Sequence, residues 1–342
     1  MSKLIRPVSI LLTGIMVLTA LFTISCAGTT VDYKPSGLTS LLAFSSDRDQ
    51  TVHIYTAKPD GMDIVSTSSE VQTFDGSPMW SPDGTRIVFS SNDPDNYEIW
   101  SMKADGSDRK RLTNRTGLDT VPRYSPDGTK IVFVAEQIHT PGGDEDEHEH
   151  EQEQENSQEQ GHHHAHAYST YDVMTINADG SNMTALTVSS KANAWNSVPT
   201  WSPDGSKILF STNREGQSII PVLYTMSPDG SNQQRFGFLF PVEGTTPDWS
   251  PVTNKIVFTK GSAAKGEIWV TDAGSPFPGL TAKKLTDNID NNRNPVWSPD
   301  GKQIAFVSDT YGNDDIFTMN ADGTDLRRVT YDKSSENHPT WR

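Results

Sequence analysis

The chain has 342 residues, with 28 lysines and arginines against 44 aspartates and glutamates, for a formal net charge of −16. That surplus repels phosphate backbones and anionic lipid heads, which speaks against a nucleic-acid-binding protein. A single cysteine rules out an internal disulfide, so stability must come from an apolar core, which a chain of this length can build.

The first 25 residues stand apart. Lys3 and Arg6 precede an apolar stretch from Val8 to Ile24, and Ser25-Cys26-Ala27-Gly28 follows. A basic start, a short hydrophobic region and small residues make a secretory signal. Cys26 sits where a lipoprotein signal places its lipidated cysteine, although Thr23 stands where leucine is usual. The expectation is an exported cell-envelope protein held to the membrane by its lipid alone. An ordinary signal peptide or an uncleaved anchor is the alternative. Residues 26–37, small and polar, read as a tether.

From residue 38 a unit recurs. Its first copy opens at Leu41-Leu-Ala-Phe44 and turns at Pro59-Asp-Gly61. The second is complete: Trp80-Ser-Pro-Asp-Gly84, the apolar run Arg86–Ser90, Glu98–Met102, the turn Ala104-Asp-Gly106 and Arg109-Lys-Arg-Leu-Thr113. Later copies start at Tyr124-Ser-Pro-Asp-Gly128, Trp201-Ser-Pro-Asp-Gly205, Trp249-Ser-Pro251 and Trp297-Ser-Pro-Asp-Gly301, and Pro339-Thr-Trp341 is a last fragment. In the fifth copy Val252-Thr253-Asn254 replaces the Asp-Gly turn. Asp-Gly between β-rich runs is a hairpin signal, and large apolar residues alternating with polar ones favour strands over helices.

Each unit therefore offers four short strands at the spacing of a propeller blade. Counting second turns gives six blades. The predicted fold is all-β, a six-bladed β-propeller over residues 38–342. The first copy lacks a Pro-x-Trp strand and the C-terminal fragment supplies one, so the last strand is expected to enter the first blade and close the ring.

The unit resembles the TolB-like, or WD-like, β-propeller repeats, whose blades carry Pro-x-Trp-Ser-Pro-Asp-Gly, an aliphatic-Phe strand, an Ile-Tyr/Trp strand and Ala-Asp-Gly. The likeness covers about 38 to 342 and lies in the repeats rather than in TolB as a whole. It implies a non-catalytic envelope protein, read as a monomer, that binds a protein or peptide partner.

The third copy is interrupted over 138–168 by Asp144-Glu-Asp-Glu-His-Glu-His150, a Glu/Gln run and Gly161-His-His-His-Ala-His166. With almost no apolar residues it reads as a disordered surface loop. His148, His150, His162, His163, His164 and His166 beside carboxylates suit zinc, nickel or copper, which makes a metal-binding surface protein the second reading. A plain solvated spacer is the other explanation.

The mouth of the central channel is expected to be lined by Ser77, Asp119, Asn196, Thr246, Asn294 and His338, with Arg293 and Asn337 beside them. This mixed polar ring is the candidate partner site. His338, its one histidine, would be the first candidate for a general base if the protein acted on a carbohydrate or small molecule there. No Gly-x-Ser-x-Gly, His-Glu-x-x-His or phosphate-cradling glycine loop is found, and the expectation is no enzyme. The acidic stretches 92–96, 287–292 and 313–315 read as turns rather than calcium loops.

Overall fold

A four-stranded unit of this size cannot cover its own apolar faces, so neighbouring units must cover them. Each unit contributes one phenylalanine from its second strand, and Phe44, Phe89, Phe133, Phe210, Phe258 and Phe306 are all fully buried. Second strands such as Leu42–Ser46 and Ile208–Thr212 are buried at every position rather than at every other one. Both faces of a blade are interior. Small side chains such as Ser45 and Ser211 take the positions where polarity in the sequence suggested solvent.

The computed structural model describes residues 40–342 except 69–72, 95, 141–166, 190–193, 215–220, 238–239, 263 and 288–289. Cys26, the signal and tether segments, and the six loop histidines lie outside the described residues. Six antiparallel four-stranded sheets follow in chain order. Blade 2 is representative: Asp75–Trp80, Arg86–Ser91, Glu98–Lys103 and Lys110–Arg111, from channel to rim. The one α-helix among the described residues is the single turn Pro278–Thr281 in blade 5.

Blade 1 takes its inner strand from the C-terminus. Glu336–Trp341 pairs with Leu42–Ser46 in the register Leu42↔Trp341, Ala43↔Thr340 and Ser45↔Asn337. Leu41 and Arg342 exchange backbone hydrogen bonds of 3.2 and 3.0 Å beyond the ladder.

The core divides at the seams between blades. Val88, Ile99 and Leu112 of blade 2 cluster with Ile131, Phe133 and Ile176 of blade 3. Leu42 and Phe44 of blade 1 cluster with Val307 and Ile316 of blade 6 and with Trp341. Five of the seams share one more device. The glycine of the third-to-fourth-strand turn has positive φ and stands against a carbonyl of the preceding blade's outer edge. An added Cβ would come within 2.0 Å of the Thr67 oxygen at Gly106, 2.2 Å of Val329 at Gly61, 2.7 Å of Leu186 at Gly230, 2.9 Å of Leu285 at Gly323 and 3.2 Å of Leu112 at Gly180.

Local chemistry explains the first turn. Ser81 Oγ donates to Asp83 Oδ1 at 2.6 Å and accepts from Arg86 N at 2.9 Å, while Thr85 N donates to Asp83 at 3.0 Å. The same serine-aspartate bond recurs at Ser125/Asp127, Ser202/Asp204 and Ser298/Asp300. Burial opposes ionisation of Asp83, but the bonds from Ser81 and Thr85 prevail and hold its carboxyl below the usual range. In blade 5 Asn254 supplies the left-handed residue, with φ of 49°.

The hydroxyl ending the fourth run reaches back into its own blade. Thr113, Thr187, Thr286 and Thr330 accept from the amides of Ile99, Val173, Ile268 and Ile316 at 2.9–3.0 Å. Ser68 does so for Ile54 at 2.9 Å in blade 1.

Candidate functional site at the channel mouth

Proline places the ring. The residue before it in every inner strand, Ser77, Val121, Val198, Thr246, Asn294 and His338, has φ between 46° and 54°. At these points the register slips, as between Gly76 and Met79 or Thr120 and Arg123, and the bulge turns the pre-proline side chain toward the axis. All six line one cavity of about 100 Å³. Left-handed backbone at β-branched Val121, Val198 and Thr246 is a real departure from ordinary geometry, held by the surrounding ring.

Two expected residues are not in this ring. Asp119 and Asn196 lie two positions before the lining residues and are buried inside their blades, so Val121 and Val198 take the places assigned to them. Asp119 Oδ1 accepts from Arg115 at 2.8 Å, and burial pushes its carboxyl up to about 6 against the pull of that arginine. Asn196 donates to Asp172 at 3.1 Å and to Ser189 at 3.0 Å, and accepts from Arg214 at 2.8 Å. The proline sets the position, and Val121 and Val198 are the residues that precede Pro122 and Pro199.

Arg293, Asn294, Asn337 and His338 come together on the side of blades 6 and 1. Arg293 donates to Asn337 at 3.1 Å and also pairs with Asp314. Asn294 and His338 stand on the cavity wall. A second hollow of about 350 Å³ opens beside it and shares Ser77 and His338, with Phe74, Asp75, Tyr97 and Asn337 on its walls. Phe74 is 42% exposed there. Burial first, and the Asp75 charge second, push the Tyr97 phenol up, so it remains a neutral donor. Asp75 itself is gripped by Arg109 at 2.7 and 2.9 Å.

Below the mouth, Arg123 and Asp248 approach to 3.4 Å across the channel. Asp248 also accepts from the Trp297 amide at 2.8 Å, and burial raises its carboxyl. The sequence reading missed this pair, whose signal was the middle residue of Pro-x-Trp and its equivalents. Arg123 of this pair lines the cavity, and Asp248 lies buried behind it.

His338 has no hydrogen-bonding partner among the described residues. Burial, then the charges of Arg123 and Arg293, push its imidazole down to about 4. The sign follows. An unfolded histidine binds a proton below about 6.5, whereas the folded one stays neutral until about 4, so its contribution to stability is lost as pH falls across that window. Glu336, raised to about 7 by burial and then by Asp332, works in the opposite sense. The informative quantity is therefore a difference. The stability of wild type minus that of His338→Asn is expected to fall with decreasing pH between about 6.5 and 4, by at most roughly 1.4 kcal/mol per pH unit. Asparagine accepts the left-handed backbone there, as Asn294 does in blade 6. Parallel denaturation curves at each pH would contradict the assignment.

Residues 42–143 and 239–342 match the model of the TolB β-propeller domain. The chain belongs to that family. A curated relative, the Tol-Pal system protein TolB of Anaeromyxobacter dehalogenans, is 30% identical over 122 residues, which is 35% of this chain and 26% of that protein. The match thus spans about a quarter of the relative's length. Among solved structures, TolB from Acinetobacter baumannii superposes with a TM-score of 0.66 at 17% identity, over 90% of this chain and 67% of that one. Hydrazine synthase from Kuenenia stuttgartiensis gives 0.68 at 16% identity, over 90% of this chain and 47% of its own. At such identities the likeness is one of fold. An enzyme and a TolB share this propeller, so the fold does not choose the chemistry of a TolB-family chain.

Proposed function

We propose that this TolB-family propeller is a non-catalytic cell-envelope protein that captures a protein partner at the channel-mouth face, and that the partner is a component of a Tol-Pal-type assembly like that for which its relatives are named. The carrying observation is the preformed concave mouth, lined by Arg123 of the Arg123–Asp248 pair, with the adjoining hollow under Phe74 and Tyr97. An extended peptide laid on this face can insert a side chain into the hollow while its backbone meets Asn294, Asn337 and Arg293. His338 lacks a carboxylate or hydroxyl in hydrogen-bond reach among the described residues, which supports binding rather than general-base chemistry. Export and lipidation at Cys26 would set the propeller at a membrane surface.

Gly76 provides the test. It borders the hollow, and a Cβ added to it meets nothing within 4 Å. Gly76→Trp is expected to fill the hollow without unfolding the blade and to weaken capture of the partner from solubilised envelopes by roughly tenfold or more. Lys302→Ala, at a turn on the opposite face, should leave capture unchanged. Equal capture by both variants would remove the mouth from consideration.

The His/Glu-rich insertion is carried by the longest hairpin of the ring. Lys130–His139 pairs with Tyr168–Asn177 through ten rungs, up to His139↔Tyr168, and so emerges on the mouth face. Zinc titration of the full chain, with and without residues 144–166, decides whether its histidines hold metal. Deletion is expected to abolish the zinc binding.

A further inference from the structure

The seam between blades 4 and 5 departs from the other five. Its turn glycine, Gly274, lies against Asn254 and Asp272 of its own blade instead of a carbonyl of blade 4. The cause is the longer turn of blade 5, whose helix Pro278–Thr281 rests on the preceding blade through Gly279 N donating to Phe240 O at 3.2 Å. The seam is thereby propped apart on the face opposite the mouth. A cleft of about 710 Å³ results, within the range of small-ligand sites.

Its lining combines one aromatic wall with hydrogen-bonding groups, of which Asp204, Lys207 and Arg235 are charged. Trp80, Tyr124, Trp201, Trp297 and Trp341 are buried to 7% exposure or less, whereas Trp249, at the same repeat position, is half-buried and lines the cleft. Trp249 Nε1 already donates to Asn254 Oδ1 at 3.2 Å, so the ring offers an apolar surface and no spare N–H. Gln234 is exposed on the facing wall, and Ser206 and Ser275 stand at its edges. The carboxylate of Asp204 is taken by Ser202 at 2.6 Å and Ser206 at 2.8 Å. The site therefore asks for a flat apolar face ringed by groups that both donate and accept, as a lining of amides, hydroxyls and charges of both signs requires.

We infer that this cleft binds a saccharide, with the C–H face of a pyranose ring against Trp249 and its hydroxyls on the amides of Gln234 and Asn254. The site is independent of the mouth, since the two use opposite faces and share no lining residue.

The experiment titrates the full chain with maltotriose and with the N-acetylglucosamine trimer by calorimetry and saturation-transfer NMR, with a polyproline peptide as the competing ligand class. At least one trisaccharide is expected to bind, and Trp249→Ala and Gln234→Trp should each weaken it roughly tenfold or more. Gln234→Trp fills the cleft from an exposed position, so it remains informative if loss of the indole unfolds the seam. Gly76→Trp, which blocks the mouth hollow, should leave the affinity unchanged. The inference is overturned if neither trisaccharide binds at tens of millimolar, if binding survives Gln234→Trp, if it is lost in Gly76→Trp, or if the polyproline peptide alone occupies the cleft.

Discussion

Deleting residues 337–342 is expected to abolish the single cooperative melt of the propeller, and Trp341→Ala alone should lower Tm by roughly 10 °C. Trp341 is 7% exposed and packs with Leu42 and Phe44 of blade 1 and Val307 and Ile316 of blade 6. Removing a buried tryptophan costs about 3–5 kcal/mol, and a domain of this size loses about 2–4 °C per kcal/mol. The truncation goes further. It frees the inner edge of Leu42–Ser46, removes the ladder to that strand, and deprives Trp80 of the Arg342 guanidinium 4.3 Å from its ring. An open ring also leaves unpaired strand edges prone to association. Differential scanning calorimetry of the full and truncated chains decides the matter. A truncated protein that melts like the parent would mean that the C-terminal strand is dispensable.

Gly106→Ala should destabilise by about 2–5 kcal/mol, among the largest effects of adding one methyl group anywhere in this chain. Two costs combine. The φ of 85° requires a left-handed backbone, worth about 1–2 kcal/mol for alanine. The new Cβ would lie 2.0 Å from the Thr67 carbonyl oxygen, so blades 1 and 2 must part, an overpacking cost of about 1–3 kcal/mol or more. Gly312→Ala separates the two, because φ is 92° there and a Cβ meets nothing within 4 Å. It should show the conformational cost alone. Gly180→Ala, with its nearest oxygen at 3.2 Å, should fall between them. Chemical denaturation of the three variants tests the order, and equal losses would show that the seams do not depend on these glycines.

These effects separate what was legible in the chain from what was not. Four strands per unit, six units and closure by Pro339-Thr-Trp341 could be read because the signals are local. The bonds of Ser81 to Asp83, Thr85 to Asp83 and Arg86 to Ser81 each close within five residues, so the shape of that turn is set locally. The threonine of Leu-Thr or Val-Thr was visible as part of the repeat, yet its task of capping the Ile99 or Ile316 amide appears only when the fourth run folds back beside the third.

The repeat alone dictates the architecture, since a repeated unit with two uncovered faces has few ways to bury them, and a ring without a terminal strand cannot close. Tertiary structure decided the sites. The channel floor joins Arg123 to Asp248 across 125 residues. Val121 and Val198 stand where Asp119 and Asn196 were expected, because in every blade the residue before the proline faces the axis. The open seam follows from one lengthened turn in blade 5 meeting blade 4. The channel floor and the open seam depend on distances between blades, which are set by packing around the ring.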